Sequence, residues 1–506
     1  MSTSPMHTNA NLAPISAADP WAGDLFGRKA EAQLLIDYIQ SVGGRVNLRE
    51  DHAGFTIAVD ADYGIGKSYF LRRLAIDLAE HHPVAFIDAW SDDLADEPLT
   101  AIAATLKKAL APLISKSSQI SNKWDIVAKK TGAVAKIAAL GLIKKGLGVL
   151  ITSPAADAVE GVIKELAQTD AELVADAIKD AGKDVASDTI DELSKKSAKA
   201  LMDERIAAFE NGQQAIIELK RSLVDLVAAL SSQGKRAPIV IIIDELDRCR
   251  PTYAVKLLEE LKHLFDIPGL VFILGMHANQ LSHSVAGAYG PGFEGEAYLR
   301  RFINRQYKLS YPDMSPLISH LMNQYGIERS KLRFLPVRDS NNYVDNDPDA
   351  SIMIARYMKD YGMTARSVFS VMDLIQTSVA ISNNSLFLPY LLPMILNKSS
   401  GRNVHNDIPL ASYRGWTYVL HGGRFDDEPQ VYPPEQVFKE MSKYARWSFR
   451  QVREASNGGD LLANIAEGVW GGQQSISSLP RYPDLMEAVG RFSNPTVDIP
   501  EVDPST

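Results

Sequence analysis

The run PIVIIIDE at 238–245 most constrains what this chain can become, because Ile239 to Ile243 are five consecutive β-branched apolar residues. A strand of this composition puts apolar side chains on both of its faces, so it needs a sheet covered on both sides and predicts parallel strands joined by helical crossovers. The flanking pattern agrees with that. FTIAVD at 55–60, PVAFIDAW at 83–90, LVFILGM at 270–276 and the weaker QYKLSYP at 306–312 read as further strands. KSYFLRRLAIDLAEHH, PLTAIAATLKKAL and YAVKLLEELKHLF between them read as helices. The predicted fold class is therefore α/β.

The other segments surround this core. Residues 1–19 are polar and short and read as a flexible arm. In the next segment Ala30, Leu34, Leu35 and Ile39 have helical spacing, which predicts a helix just before the first core strand. Residues 111–236 are rich in Ala, Lys, Asp, Glu and intermittent Leu and Ile, a composition that predicts a long helical insertion. It divides the core into 20–110 and 237–312. A mainly helical C-terminal domain is expected over 313–470. An irregular tail follows over 471–506, in which SLPRYPDLMEAVGRF has room for a short helix. No internal repeat is evident.

Composition narrows the function classes. A formal charge of −9 and a pI near 5.7 provide no general attraction for nucleic acid or anionic lipid, and no specific nucleic-acid partner is identified. The basic patch from Arg300 to Lys308 has no reader motif around it. With Cys249 as its single cysteine the chain forms no internal disulfide, and it opens without a secretory signal pattern. Both features point to the cytoplasm. Residues 131–163 are the most apolar stretch, but Lys136, Lys144 and Lys145 interrupt it. Association with the inner-membrane surface therefore stays open, while spanning is disfavoured.

The chemistry concentrates in ADYGIGKSYF at 61–70. Gly64 and Gly66 allow backbone geometries that turn N–H groups toward phosphate, Lys67 neutralises its oxygens, and Ser68 supplies a hydroxyl for magnesium. A helix starting near Lys67 adds its positive end. Tyr63, Ile65 and Tyr69 complete the candidate nucleotide contacts. Ala61 departs from the full Walker A pattern, which has glycine at that position. The strand 238–245 delivers Asp244, a candidate for holding magnesium through water, and Glu245, a candidate for polarising an attacking water. Arg300, Arg301 and Arg305 in AYLRRFINRQYK are candidate transition-state cations, and Arg366 in MTARSVF is a candidate phosphate sensor. The loop itself does not distinguish ATP from GTP. Other singletons have plainer readings: Cys249 as a packing residue beside Leu246, Trp90 as a packed strand end, and His277 and His283 as polar residues rather than metal ligands.

In their order along the chain, DPWAGDLFGR, DYGIGKS, VAFIDAW with its downstream EPL, IDELDRC, LVFILGM and EAYLRRFINRQYKL resemble the KAP family of P-loop NTPases. The resemblance implies an ASCE-type ATPase core that uses ATP and Mg2+. In that core Lys67 and Ser68 lie on phosphate and magnesium, Asp244 supports the metal and Glu245 is the water-activating acid, with Asp247 and Arg248 completing the acidic motif. It also implies an insertion in this position, a homo-oligomer or another defence protein as partner, and a link to bacterial anti-phage defence. His277 stands where an acidic residue often follows the strand in such proteins. The function expected is an ATP-controlled molecular switch or assembly ATPase. The alternatives are a nucleotide-stabilised scaffold that does not hydrolyse and a nucleic-acid-coupled ATPase.

Overall fold

The computed structural model describes residues 18–43, 55–93, 97–139, 210–211, 213–230, 237–262, 264, 267–382, 384–405, 408, 415–422, 428–470 and 479–491. Residues 1–17 of the expected arm, most of the insertion, including VIKELAQTDAELVADAIKDAG, and the apolar stretch beyond residue 139 lie outside these residues. So does most of the tail.

The apolar runs form strands β1 (Phe55–Asp60), β2 (Val84–Asp88), β3 (Ile239–Asp244), β4 (Leu270–Met276) and β5 (Arg305–Lys308). All pair in parallel, in the order β2-β3-β4-β1-β5. Every residue of β3 and β4 is buried, as expected for central strands covered on both faces. Each fully buried Val, Ile, Leu or Phe side chain contributes about 1.5–3 kcal/mol. By contrast β5 is an edge and largely exposed, which explains its weaker sequence signal. β4 lies between β1 and β3, so the strand before the glycine loop and the strand ending in Asp244 are not neighbours.

Helix α1 (Arg28–Gly43) precedes β1 and α2 (Lys67–Leu78) follows it. The buried face of α1 is Arg28, Ala32, Leu35, Ile36 and Ile39, while Leu34 is 61% exposed and Ala30 is also exposed. This corrects the face expected from Ala30 and Leu34. At 100° per residue the i, i+4, i+7 series that contains Ile39 and Leu35 runs back through Ala32 and Arg28. PVAFIDAW is strand only to Asp88. Its last two residues open the short helix α3 (Ala89–Asp92), capped by the Asp88 carboxylate, which accepts from Ser91 N–H at 3.1 Å. Helices α4 (Pro98–Ile114) and α5 (Ser118–Ala139) follow, and residues 213–230 are helical where the insertion is again described. Among the described residues no helix is long and apolar enough to cross a membrane.

The chain divides into two compact units. One draws on the described residues of 1–22, 29–62 and 67–310 and contains the sheet. The second draws on the described residues of Gly23–Arg28, Tyr63–Gly66 and Tyr311–Thr506. Its core is mainly helical and includes Leu317, Tyr357, Val371, Leu391, Phe438 and Tyr482. It also contains a four-stranded sheet built from Gln430–Tyr432, Trp416–Leu420, Val337–Asp339 and Val344–Asp345, in antiparallel pairs. Strands of two to five residues leave too short a pattern to read from sequence. They are held instead by packing such as the buried Tyr357–Tyr418 hydroxyl pair at 2.9 Å. In the tail, the helix Tyr482–Gly490 docks into this core, and the Tyr482 hydroxyl accepts from Phe387 N–H at 2.6 Å.

Candidate phosphate site

The end of β1 is tied to both neighbouring strands before the chain turns. The Asp60 carboxylate accepts from Ala278 N–H at 2.8 Å and from Gln306 Nε2 at 2.9 Å. Ala61 N–H donates to Met276 C=O at 3.2 Å, so the ladder to β4 extends into the loop. Among the described residues Glu245 and Asn342 are the non-glycine positions with positive φ, and Ala61 is not one of them. Glycine is therefore not needed at Ala61, and the departure from the Walker A pattern falls on a position with ordinary backbone geometry.

Gly64 and Gly66 have φ of +79° and +98°, a region that costs an L side chain about 1–2 kcal/mol. The loop is gripped inside the second unit. Arg28, 1% exposed, donates from Nη2 to the Ile65 carbonyl at 3.0 Å. Thr364 lies against Gly64 so closely that a Cβ built there would overlap its hydroxyl and stand 2.9 Å from its Cβ. Neither contact has a local sequence signal beyond the FGR of the early motif. Thr364 precedes the helix Ala365–Ile381, and Arg366 is exposed on that helix's first turn.

After Gly66 the chain enters α2, whose first N–H groups have no partners within the helix and favour an anion. Lys67 is the first residue of α2. It is 9% exposed, and its Nζ lies 3.1 Å from Asp247 Oδ1. Ser68 donates its hydroxyl to Glu245 Oε1 at 3.4 Å and also hydrogen-bonds Asp244. Tyr63 is 41% exposed, whereas Ile65 is buried. The Tyr69 ring is covered by the Arg73 guanidinium at 3.7 Å, one turn along α2.

The acidic strand end is held by its surroundings. Gly275 on β4 makes room for Asp244, since a Cβ there would stand 2.7 Å from Asp244 Oδ1. Asp244 Oδ1 accepts from Glu245 N–H at 2.9 Å, and Glu245 sits in the left-handed region with φ of +59°. For a residue other than glycine this is a strained conformation, held here by the turn Leu246–Arg248. Arg248 Nη1 lies 2.9 Å from Glu245 Oε1. Burial pushes the Asp244 carboxyl above the ordinary carboxylate range, opposed by hydrogen bonds from Ser68 and Glu245 N–H and by the Lys67 charge. Burial likewise raises Glu245, opposed mainly by Arg248.

The structure thus brings Lys67, Ser68, Asp244 and Glu245 together and adds Asp247 and Arg248. Among the described residues no group of three His, Cys, Asp or Glu forms a metal cage. A hydroxyl and a buried carboxylate are hard oxygen donors, and they fit a cation such as magnesium that takes its remaining ligands from phosphate and water.

Arg300, Arg301 and Arg305 are exposed. Arg300 pairs with Glu296 at 2.5 Å, and Arg305 Nη1 donates to the Asn304 carbonyl at 3.2 Å. The segment before them is braced by the stacked rings of Tyr289 and Phe293, 4.2 Å apart. Glu259 accepts from the Tyr289 and Tyr298 hydroxyls at 3.0 and 3.3 Å.

Trp90 is 46% exposed rather than packed, and its ring faces the Arg248 guanidinium at 5.7 Å. The residue falls in α3, beyond the strand, so its side chain leaves the core. His277 caps the helix Ala278–Tyr289, with Nδ1 accepting from Gln280 N–H at 3.0 Å, and its Nε2 lies 3.1 Å from Asp62. Cys249 is buried and its thiol is pushed up to about 12, chiefly by burial, which leaves it protonated and without nucleophilic character at neutral pH.

Comparison with curated proteins gives no match. The KAP family P-loop domain matches residues 28–364, more than half of the chain. That span holds the whole five-stranded sheet, the glycine loop after β1 and the acidic end of β3. The parallel sheet, flanking helices and glycine loop form the α/β fold of P-loop NTPases, and the chain belongs to the KAP family of these nucleotide-binding proteins.

Proposed function

We propose that this chain is a magnesium-dependent ATPase that works as a molecular switch or assembly ATPase. The observation that carries the reading is the meeting of Lys67 and Ser68, at the start of α2, with Asp244 and Glu245, at the end of β3. In this reading the peptide N–H groups from Tyr63 to Tyr69 bind phosphate oxygens, Lys67 neutralises them, and Ser68 with Asp244 holds magnesium. Magnesium, when bound, draws charge from the phosphate oxygens. Glu245 orients the attacking water and accepts its proton. ATP rather than GTP, and a part in bacterial anti-phage defence, are carried by the family resemblance alone. The exposed Arg300, Arg301, Arg305 and Arg366 are suited to meeting a phosphate presented by another copy. Loss of the γ-phosphate would then remove contacts and shift the assembly.

The direct test is phosphate release by the purified chain with ATP, with and without magnesium, alongside molecular mass in each nucleotide state. Magnesium-dependent turnover with a change in mass is expected. Specific ATP binding without turnover under any magnesium concentration would instead favour the nucleotide-stabilised scaffold.

The loop supplies a second prediction. Gly64→Ala combines a φ of +79° with overlap on Thr364, and should weaken nucleotide binding about 100-fold. Thr364→Gly in the same chain removes the overlap but not the backbone penalty. Thr364 makes no capping hydrogen bond, so its own loss costs little. Partial recovery in a nucleotide titration is the expected result.

A further inference from the structure

Asp247 is the buried charged group at this site for which the proposed chemistry has no use. Its side chain is 1% exposed, Lys67 Nζ lies 3.1 Å from its Oδ1, and its Oδ2 has no hydrogen-bond partner among the described residues. A carboxylate buried this deeply depends on its counter-ion, because a lone charge out of water is costly. The counter-ion is the ammonium that the phosphate also requires. Asp244 lies closer along the chain to the proposed metal chemistry, yet the direct ion pair of Lys67 is with Asp247.

We infer that Asp247 is an internal competitor for Lys67: a carboxylate that partly neutralises the ammonium and so sets the nucleotide affinity of the site. The inference rests on the proposed reading of Lys67 as a phosphate ligand. Two effects act in the same direction. The pair draws the Lys67 charge toward the base of the acidic turn, and the Asp247 charge repels a polyanion that approaches the same ammonium. Both effects are strong because the pair is buried and poorly screened. The turn Leu246–Arg248 that holds Asp247 also carries Arg248, which pairs with Glu245 at 2.9 Å. A phosphate that draws Lys67 away from Asp247 therefore disturbs the same short turn that holds the proposed water-activating acid.

Asp247→Asn removes the charge and keeps the shape. Titration of wild type and Asp247→Asn with a fluorescent ATP analogue and magnesium should show binding at least about tenfold tighter in the variant. A residue with a merely structural role would give weaker or unchanged binding. In a Lys67→Ala background the same substitution should produce no gain, since the effect passes through the ammonium. A thermal melt checks folding, and Asp247→Ser, also uncharged, replaces Asp247→Asn if that variant does not fold. Wild-type binding with no gain, or with a loss, in the Asp247 variants overturns the inference and leaves the nucleotide site standing. Absence of binding in every form, including wild type, removes the nucleotide reading and the inference with it.

Discussion

Lys67→Ala is expected to lose nucleotide binding and to destabilise the fold at once. The first effect follows from removing the cation that faces the phosphates. Truncating one partner of a buried charge pair costs about 2–5 kcal/mol, or roughly 30-fold to several thousand-fold in affinity. The second follows from Asp247, whose 1% exposed side chain loses its ion-pair partner. Breaking a buried pair from one side typically costs about 3–5 kcal/mol. Denaturant unfolding should therefore show a much lower midpoint for Lys67→Ala than for wild type. Adding Asp247→Asn should recover most of that stability without recovering binding. If Lys67→Ala unfolds at the wild-type midpoint, the pair does not hold the site together. Comparisons of activity alone would miss this, because an unfolded variant and an intact but non-binding one look the same in a turnover assay.

Glu245→Gln should separate binding from chemistry. Gln keeps the length of the side chain and can still accept from the Ser68 hydroxyl, which lies 3.4 Å from Glu245 Oε1. It cannot take a proton from water. A positioned general base contributes about 10²–10⁴-fold, so turnover should fall by that factor while ATP affinity stays near wild type. Stability should change by about 1 kcal/mol, since Gln fills the same space and, although Glu245 is only 14% exposed, its partner Arg248 is 32% exposed and can turn to water. Turnover that survives the substitution would assign water activation to another group. The strained left-handed backbone of Glu245 should be retained in the variant. With φ of +59° it gives the carboxylate its place beside Ser68, and Gln tolerates that backbone no better than Glu, so the geometry is matched between the two proteins.

The α/β class was legible in the sequence because a strand buried on both faces must be apolar without alternation, and 239–243 and 270–276 satisfy that requirement over their whole length. Lys67, Ser68, Asp244 and Glu245 were legible as candidates because phosphate and magnesium chemistry ties residue types to fixed spacings within a loop and at a strand end. The short sheet of the second unit was not, because strands of two to five residues carry too little pattern. Nor was the buried face of α1, where the apolar Leu34 is exposed and Arg28 is enclosed.

The sequence alone determined the alternation of strand and helix, the position of the glycine loop and the acids at the end of β3, since these depend on local composition and short spacing. Tertiary structure alone decided that β4 lies between β1 and β3, that Arg28 holds the Ile65 carbonyl, that Thr364 closes over Gly64 and that Lys67 is paired with Asp247. These contacts join residues 37, 300 and 180 positions apart in the chain. No local pattern encodes such a separation; it is set by how the buried faces of the elements close on one another, and the charges follow where that packing leaves them.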